Sequence, residues 1–108
     1  SPGINLSHEA LHSAAAHLPH IDVTMPQRVV GTNTVQCMQS GIYWGYISLI
    51  EGLCTRIAAE RERDMTVIAT GGLAPLFARG STVIKEVDQD LTMRGLVMIH
   101  AHNRSRQA

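Results

Sequence analysis

A helical pattern that runs unbroken from Thr32 to Arg63 constrains this chain more than any other feature. Val35, Met38, Ile42, Tyr46, Leu49, Leu53 and Ile57 recur at steps of three and four, which lines one face of a 3.6-residue helix. Thr32 or Asn33 supplies the side-chain oxygen for its N-cap. At 1.5 Å per residue such a helix reaches about 45 Å, against a diameter of about 35 Å for a compact chain of this size. Either it kinks, or part of its length packs on something outside these residues. Gly41, Gly45 and Gly52 sharpen the expectation, because each glycine costs about 1 kcal/mol relative to Ala in a helix interior. A line of three predicts a close backbone contact with another element.

With 108 residues the chain is one domain at most, and at 44% hydrophobic and 17% charged it can form a core. Nine Lys plus Arg balance nine Asp plus Glu. No net field gathers nucleic acid or an anionic membrane surface, so neither is an expected partner. Arg94, Arg104 and Arg106 with His100 and His102 make a small basic end, read as charge favouring a helix C-terminus. No stretch approaches the ~20 apolar residues of a membrane-spanning helix, and Ser1 to Leu6 lacks the pattern of a signal peptide. A cytoplasmic location is expected. Cys37 and Cys54 lie about 25 Å apart on one helix and point to different faces, so both should be free thiols.

Around the long helix, Ser7 is the expected cap of a first helix over His8 to Leu18, with Ala10, Leu11, Ala14, Ala15 and Leu18 inward and Pro19 as its stop. Arg28 to Val30 could extend briefly before Gly31. Met65 to Ala69 reads as a strand, Thr70-Gly71-Gly72 as a turn, and Leu73 to Arg79 as a short helix ended by Gly80. Ser81 to Val87 can extend, and Asp88 or Asp90 caps a last helix from about Leu91 to Asn103.

Two motifs suggest chemistry. His8-Glu9-Ala10-Leu11-His12 matches the zincin pattern, in which imidazoles one turn apart share a Zn²⁺ and the Glu activates its water. Its third ligand is missing, since Leu18 stands where the extended motif has His and Ala15 where it has Gly; His17 faces away and His20 is only nearby. The plainer reading is two surface histidines, with no metal ligand in the chain. Thr70-Gly71-Gly72 follows an apolar run and precedes a helix, a place where absent Cβ atoms let a nucleotide approach the backbone or simply form a tight turn.

Taken in order, Ser1-Pro2-Gly3, Glu9-Ala10-Leu11, Leu18-Pro19, Gly31-Thr32-Asn33-Thr34, Met38-Gln39-Ser40-Gly41, Gly45-Tyr46 to Glu51-Gly52-Leu53, Ala69 to Ala74 and Asp90 to Leu96 resemble the C-terminal part of type III pantothenate kinase. The resemblance covers nearly the whole chain. It implies an α/β fold: part of the C-terminal, ribonuclease-H-like half found in the actin, Hsp70 and sugar kinase superfamily, helix-rich with one or two short strands. It implies ATP-dependent phosphorylation of pantothenate at the start of coenzyme A synthesis.

Residue by residue, it matches Thr34 to the family's substrate-contacting threonine, and Thr70, Gly71 and Gly72 to its nucleotide-side glycine turn. The family's phosphate-binding loop, its Gly-x-Asp-Arg segment with the catalytic base and its cation-placing aspartate match nothing between Ser1 and Ala108. Residues 1–108 are therefore expected to be the C-terminal part of a two-lobed kinase, a fragment without the catalytic lobe and with no catalytic residue of its own. ATP with Mg²⁺, a monovalent cation (K⁺ or NH₄⁺) and a homodimer are implied by the resemblance alone. A different reading is a non-catalytic interaction module of the same family, of the kind named as transcription accessory factors.

Overall fold

The computed structural model describes residues 1–14 and 18–107. Its elements are α1 (Ile4–Ala14), α2 (Thr34–Arg61), β1 (Val67–Ala69), α3 (Ala74–Gly80), β2 (Ile84–Val87) and α4 (Leu91–Gln107). The fold is α/β and helix-rich, with one two-stranded parallel sheet.

The long helix forms where its pattern places it, over 28 residues. Asn33 is its cap: the backbone there is extended and the side-chain carbonyl accepts the Gln36 N–H at 2.9 Å. The helix ends at Arg61, two residues before the expected Arg63. Glu62 takes the left-handed conformation (φ 55°), which turns the N–H groups of Glu62 and Arg63 back onto the carbonyls of Ala59 and Ala58, each at 3.2 Å.

Its buried face differs from the expected stripe. Met38 is buried as expected, but Ser40, Tyr43 and Ile47 complete the set, while Val35, Leu53 and Ile57 are exposed. Ile42 to Ile47 is apolar on nearly every side, so spacing alone does not select the inward face. The glycine line finds no partner among the described residues: a Cβ built on Gly41, Gly45 or Gly52 would have nothing within 4 Å.

Helix α1 begins four residues before the expected start. The Ser7 N–H donates to the Gly3 carbonyl at 3.0 Å, so Ser7 is inside the helix and not its cap. Its hydroxyl instead donates to the Tyr46 phenol at 2.6 Å, and that phenol donates to the Pro2 carbonyl at 2.9 Å. These two bonds fasten α1 to α2. Ile4 and His8 point inward, whereas Ala10, Leu11 and Ala14 are exposed. Ala15 and His17, and with them the expected end of this helix, lie outside the described residues.

Between α1 and α2 the segment from Arg28 to Val30 forms no strand. Beyond α2, β1 and β2 pair in parallel across α3, with Val67 opposite Ile84 and Ala69 opposite Val87. Met65 and Thr66 fall outside β1. One face of this sheet is uncovered, as Ile68 shows at 50% exposure. Helix α4 starts as expected, the Asp90 carbonyl accepting the Arg94 N–H, and runs to Gln107 rather than Asn103. Asp88 accepts the Asp90 N–H at 3.1 Å and pairs with the Arg94 guanidinium, which ties α4 to the end of β2.

The core lies where α2 crosses α1 and α3. Tyr43 is fully buried, its ring stacked on Phe77 (centroids 5.2 Å apart, 13° between planes) and edge-on to Trp44. Its hydroxyl donates to the Leu76 carbonyl at 2.8 Å. A Cβ at Gly80 would lie 2.5 Å from that hydroxyl, so only glycine fits where α3 ends against α2. The remaining elements spread outward from this centre. The radius of gyration is 18.0 Å, against about 13 Å for a compact chain of this length.

Candidate functional site

Two clefts flank the core, and each holds part of what the sequence marked. The first lies at the sheet end of α2. Ile4, Tyr46, Ile50, Phe77 and the strand residues wall a cleft of about 590 Å³, and Thr70, Gly71 and Gly72 form part of its lining. Gly71 has φ +101°, a conformation that L side chains rarely adopt, and its carbonyl accepts the Ala74 N–H at 3.1 Å. The glycine is thus required by the turn. A Cβ at either Gly71 or Gly72 would meet nothing within 4 Å. Bare backbone therefore faces open space here, beside an apolar wall suited to a flat ring system.

The second cleft, of about 400 Å³, lies at the start of α2, where Gln27, Arg28, Val30 and Gly31 face Thr32, Gln36 and Gln39. Its loop is held closely against the helix. A Cβ at Gly31 would come 2.6 Å from the Cys37 backbone nitrogen, and the buried Ser40 hydroxyl donates to the Val29 carbonyl. Gln36 accepts from both the N–H and the hydroxyl of Thr32, at 2.8 and 2.7 Å.

Thr34 opens α2 beside this second cleft, exposed, without itself lining the cavity. Asn33 performs the capping, so the Thr34 hydroxyl is not engaged in that bond. The turn at Thr70 to Gly72 lines the first cleft, whereas Thr34 lines neither, so the structure does not bring these candidate residues into one cavity.

His8 and His12 are not two surface histidines, which corrects the plainer reading of that motif. They lie one turn apart on the inward face of α1, and His8 is only 8% exposed. The His20 ring packs edge-on to His8 (5.4 Å between centroids) and tilted against His12 (3.4 Å). The His12 Nδ1–H donates to the Leu18 carbonyl at 3.0 Å, while the buried His8 Nδ1 has no partner. Among the described residues no three His, Cys, Asp or Glu side chains are grouped so as to hold a metal ion. Cys37 and Cys54 are free thiols, and no helix of the described residues is long and apolar enough to cross a membrane.

Sequence reasoning missed Arg28 and Gln39, whose place beside the start of α2 depends on the fold of the loop before Gly31. It also assigned Tyr46 to packing alone. Its spacing of three from Tyr43 puts both rings beside Phe77 and gives no sign of the hydroxyl's bonds to Ser7 and Pro2.

Comparison with known proteins bears on both clefts. The family model for type III pantothenate kinase matches residues 1–56. The type III pantothenate kinase of Cereibacter sphaeroides is 62% identical over 104 residues, which is 96% of this chain and 40% of the relative. That of Dinoroseobacter shibae is 61% identical over 104 residues, covering 96% and 41% of the two chains. That of Roseobacter denitrificans is 58% identical over 107 residues, covering 99% and 42%. This chain spans about 40% of the length of the relatives it matches and corresponds to a C-terminal portion of them. With more than half of its residues inside the family model and about three-fifths identity along nearly all of it, the chain belongs to the type III pantothenate kinase family.

Proposed function

We propose that this chain supplies binding surfaces of an ATP-dependent pantothenate kinase, the reaction that starts coenzyme A synthesis. The observation that carries the reading is the identity to type III pantothenate kinases along almost the entire chain, both clefts included. In this reading residues 1–108 form the C-terminal part of a two-lobed, ribonuclease-H-like kinase. The parallel β1-α3-β2 unit, with one bare sheet face, is compatible with such a part, since parallel sheets are normally covered on both faces.

The cleft at Thr70, Gly71 and Gly72 takes the nucleotide. Its open glycine backbone admits phosphate or ribose oxygens closely, and its apolar wall takes the base. The hydroxyl of Thr34, relieved of capping by Asn33, contacts pantothenate. Phosphoryl transfer also needs metal-assisted charge neutralisation and a group that orients the attacking hydroxyl. In this reading ATP is used with Mg²⁺ and a monovalent cation (K⁺ or NH₄⁺), and the groups that place them and the catalytic carboxylate belong to the segments of the family that match nothing between Ser1 and Ala108. A homodimer in the cytoplasm completes the proposal; the two free cysteines suit a reducing compartment, and the exposed glycine line offers a surface for the second subunit.

Steady-state kinetics test this reading in a full-length kinase whose C-terminal portion is this chain. Thr34→Ala should weaken pantothenate handling about fivefold or more, the effect of one lost hydrogen bond of about 1 kcal/mol, with little change toward ATP. Gly71→Val should act on ATP instead, because a branched Cβ both strains the turn and fills the open space. Equal effects of each variant on both substrates would refute the assignment. The 108-residue chain by itself should form no ADP from ATP and pantothenate, and turnover at a full-length rate would overturn the division of labour.

A further inference from the structure

Arg28 is a cation without an assigned task. It lies on the loop before α2 and lines the 400 Å³ cleft, where the other polar groups are the hydroxyl and carboxamides of Thr32, Gln27, Gln36 and Gln39. No carboxylate lines this cleft, and the ion pair recorded among the described residues joins Asp88 to Arg94, away from Arg28. A guanidinium in a concave site whose lining holds no carboxylate leaves a positive potential that an anionic group on a ligand can complete.

The loop that carries Arg28 is fixed on both sides of the cleft wall. The Val29 carbonyl accepts from the buried Ser40 hydroxyl. Gly31 lies so close to the first turn of α2 that a methyl group in its place would collide with the Cys37 backbone. The arginine is thus anchored through its chain neighbours on a rigid helix, while its own side chain stays exposed to solvent. Such anchoring lowers the ordering cost of a bidentate contact to a carboxylate.

We infer that Arg28 is the specificity-determining counter-ion for the carboxylate of the phosphoryl acceptor. The inference rests on the kinase reading above and extends it from the Thr34 hydroxyl to the acid end of the substrate. Pantothenate is a small aliphatic acid with one carboxylate, one amide and two hydroxyls. The cleft offers a matching set: one guanidinium, three carboxamides, a threonine hydroxyl and the apolar wall of Val30. Its volume lies in the range of small-molecule sites, roughly 300–1,000 Å³. The carboxylate is remote from the hydroxyl that receives phosphate, so Arg28 acts on binding and discrimination and leaves the chemical step alone.

The test uses a full-length kinase whose C-terminal portion is this chain, with Arg28→Gln and Arg28→Lys compared against the parent. Each is assayed with pantothenate and with its neutral alcohol analogue, in which the carboxylate is replaced by CH₂OH, followed as substrate or as competitive inhibitor. Arg28→Gln should raise KM for pantothenate about tenfold or more, the effect of losing a charge-assisted hydrogen bond. kcat, KM for ATP and the constant for the neutral alcohol should all stay within about twofold, and Arg28→Lys should restore part of the loss. A pantothenate KM that stays within twofold in Arg28→Gln, or a rise shared equally by the acid and the alcohol, would overturn the inference while leaving the kinase reading intact. A parent protein that forms no ADP with pantothenate would overturn both.

Discussion

The middle of α2 and the middle of α4 are equally apolar and meet opposite fates. Around Tyr43 and Ile47 the chain is closed in by α1, α3 and Val23 of the preceding loop, and the tyrosine has no exposed surface at all. Leu96 to Ile99 is an unbroken apolar run on a regular helix, yet no residue of α4 is buried and Met98 is 71% exposed. Local apolarity does not separate these two stretches. The difference is where the chain goes next: α2 is followed by a strand and helix that fold back across it, whereas α4 leaves the sheet held by the Asp88–Arg94 pair and the Asp90 backbone.

The strongest way to break that contrast is to truncate one side chain on each helix. Tyr43→Ala should destabilise the chain by about 3–5 kcal/mol, since it removes a fully buried ring from its stack on Phe77 and leaves the Leu76 carbonyl without its donor. Leu96→Ala should change stability by no more than about 0.5 kcal/mol, as expected for an exposed position. Urea unfolding of both variants measures the two values side by side. A cost above about 1.5 kcal/mol for Leu96→Ala would mean that α4 is packed in solution and that the contrast is false.

What the sequence made legible follows the same division. Local signals were reliable: the Asn33 cap, the glycine turn at Gly71 and the start of α4 after Asp90 each depend on a few neighbouring residues. Choices of partner were not. Ser7 looks like a cap because its own hydroxyl can serve as one, but here that hydroxyl bonds Tyr46, 39 positions away. His8 looks solvated on an exposed helical motif, but His20 arrives from the next segment to cover it. The candidate site divides likewise. Thr34 and the turn at Gly71 were singled out by the family resemblance of their segments, while Arg28 needed the loop to fold onto Ser40 before it had a cleft to line.

A smaller effect sharpens the comparison on α2 itself, between its packed face and its glycine line. Inside the described residues Gly45 faces open space, so Gly45→Ala should stabilise the isolated chain by up to about 1 kcal/mol through helix propensity. In a full-length dimer that uses this line as a contact, Gly45→Leu should instead cost about 1–3 kcal/mol by overpacking and weaken self-association. Thermal unfolding of the first variant and sedimentation of the second are read together. An unchanged dimer of unchanged stability would place the glycine line in solvent and remove it from the proposed subunit contact.

The smallest expected effect concerns charge in the packed region. Burial pushes the Tyr43 phenol above its ordinary value of 10.0, against a partial opposing pull from the Gly80 backbone and the Arg79 guanidinium. The fold therefore holds the neutral phenol, and the unfolded chain gives up the proton first as pH rises. That preference contributes fully below about pH 10 and is lost progressively above it, as the pH climbs through the folded-state value. Tyr43→Phe keeps the ring on Phe77 but removes both the titration and the bond to Leu76, so at neutral pH it should be less stable by about 1 kcal/mol. The gap between them should accordingly narrow between pH 9 and pH 11; a constant gap over that range would mean that Tyr43 meets water in solution and that the centre of α2 is no better closed than α4.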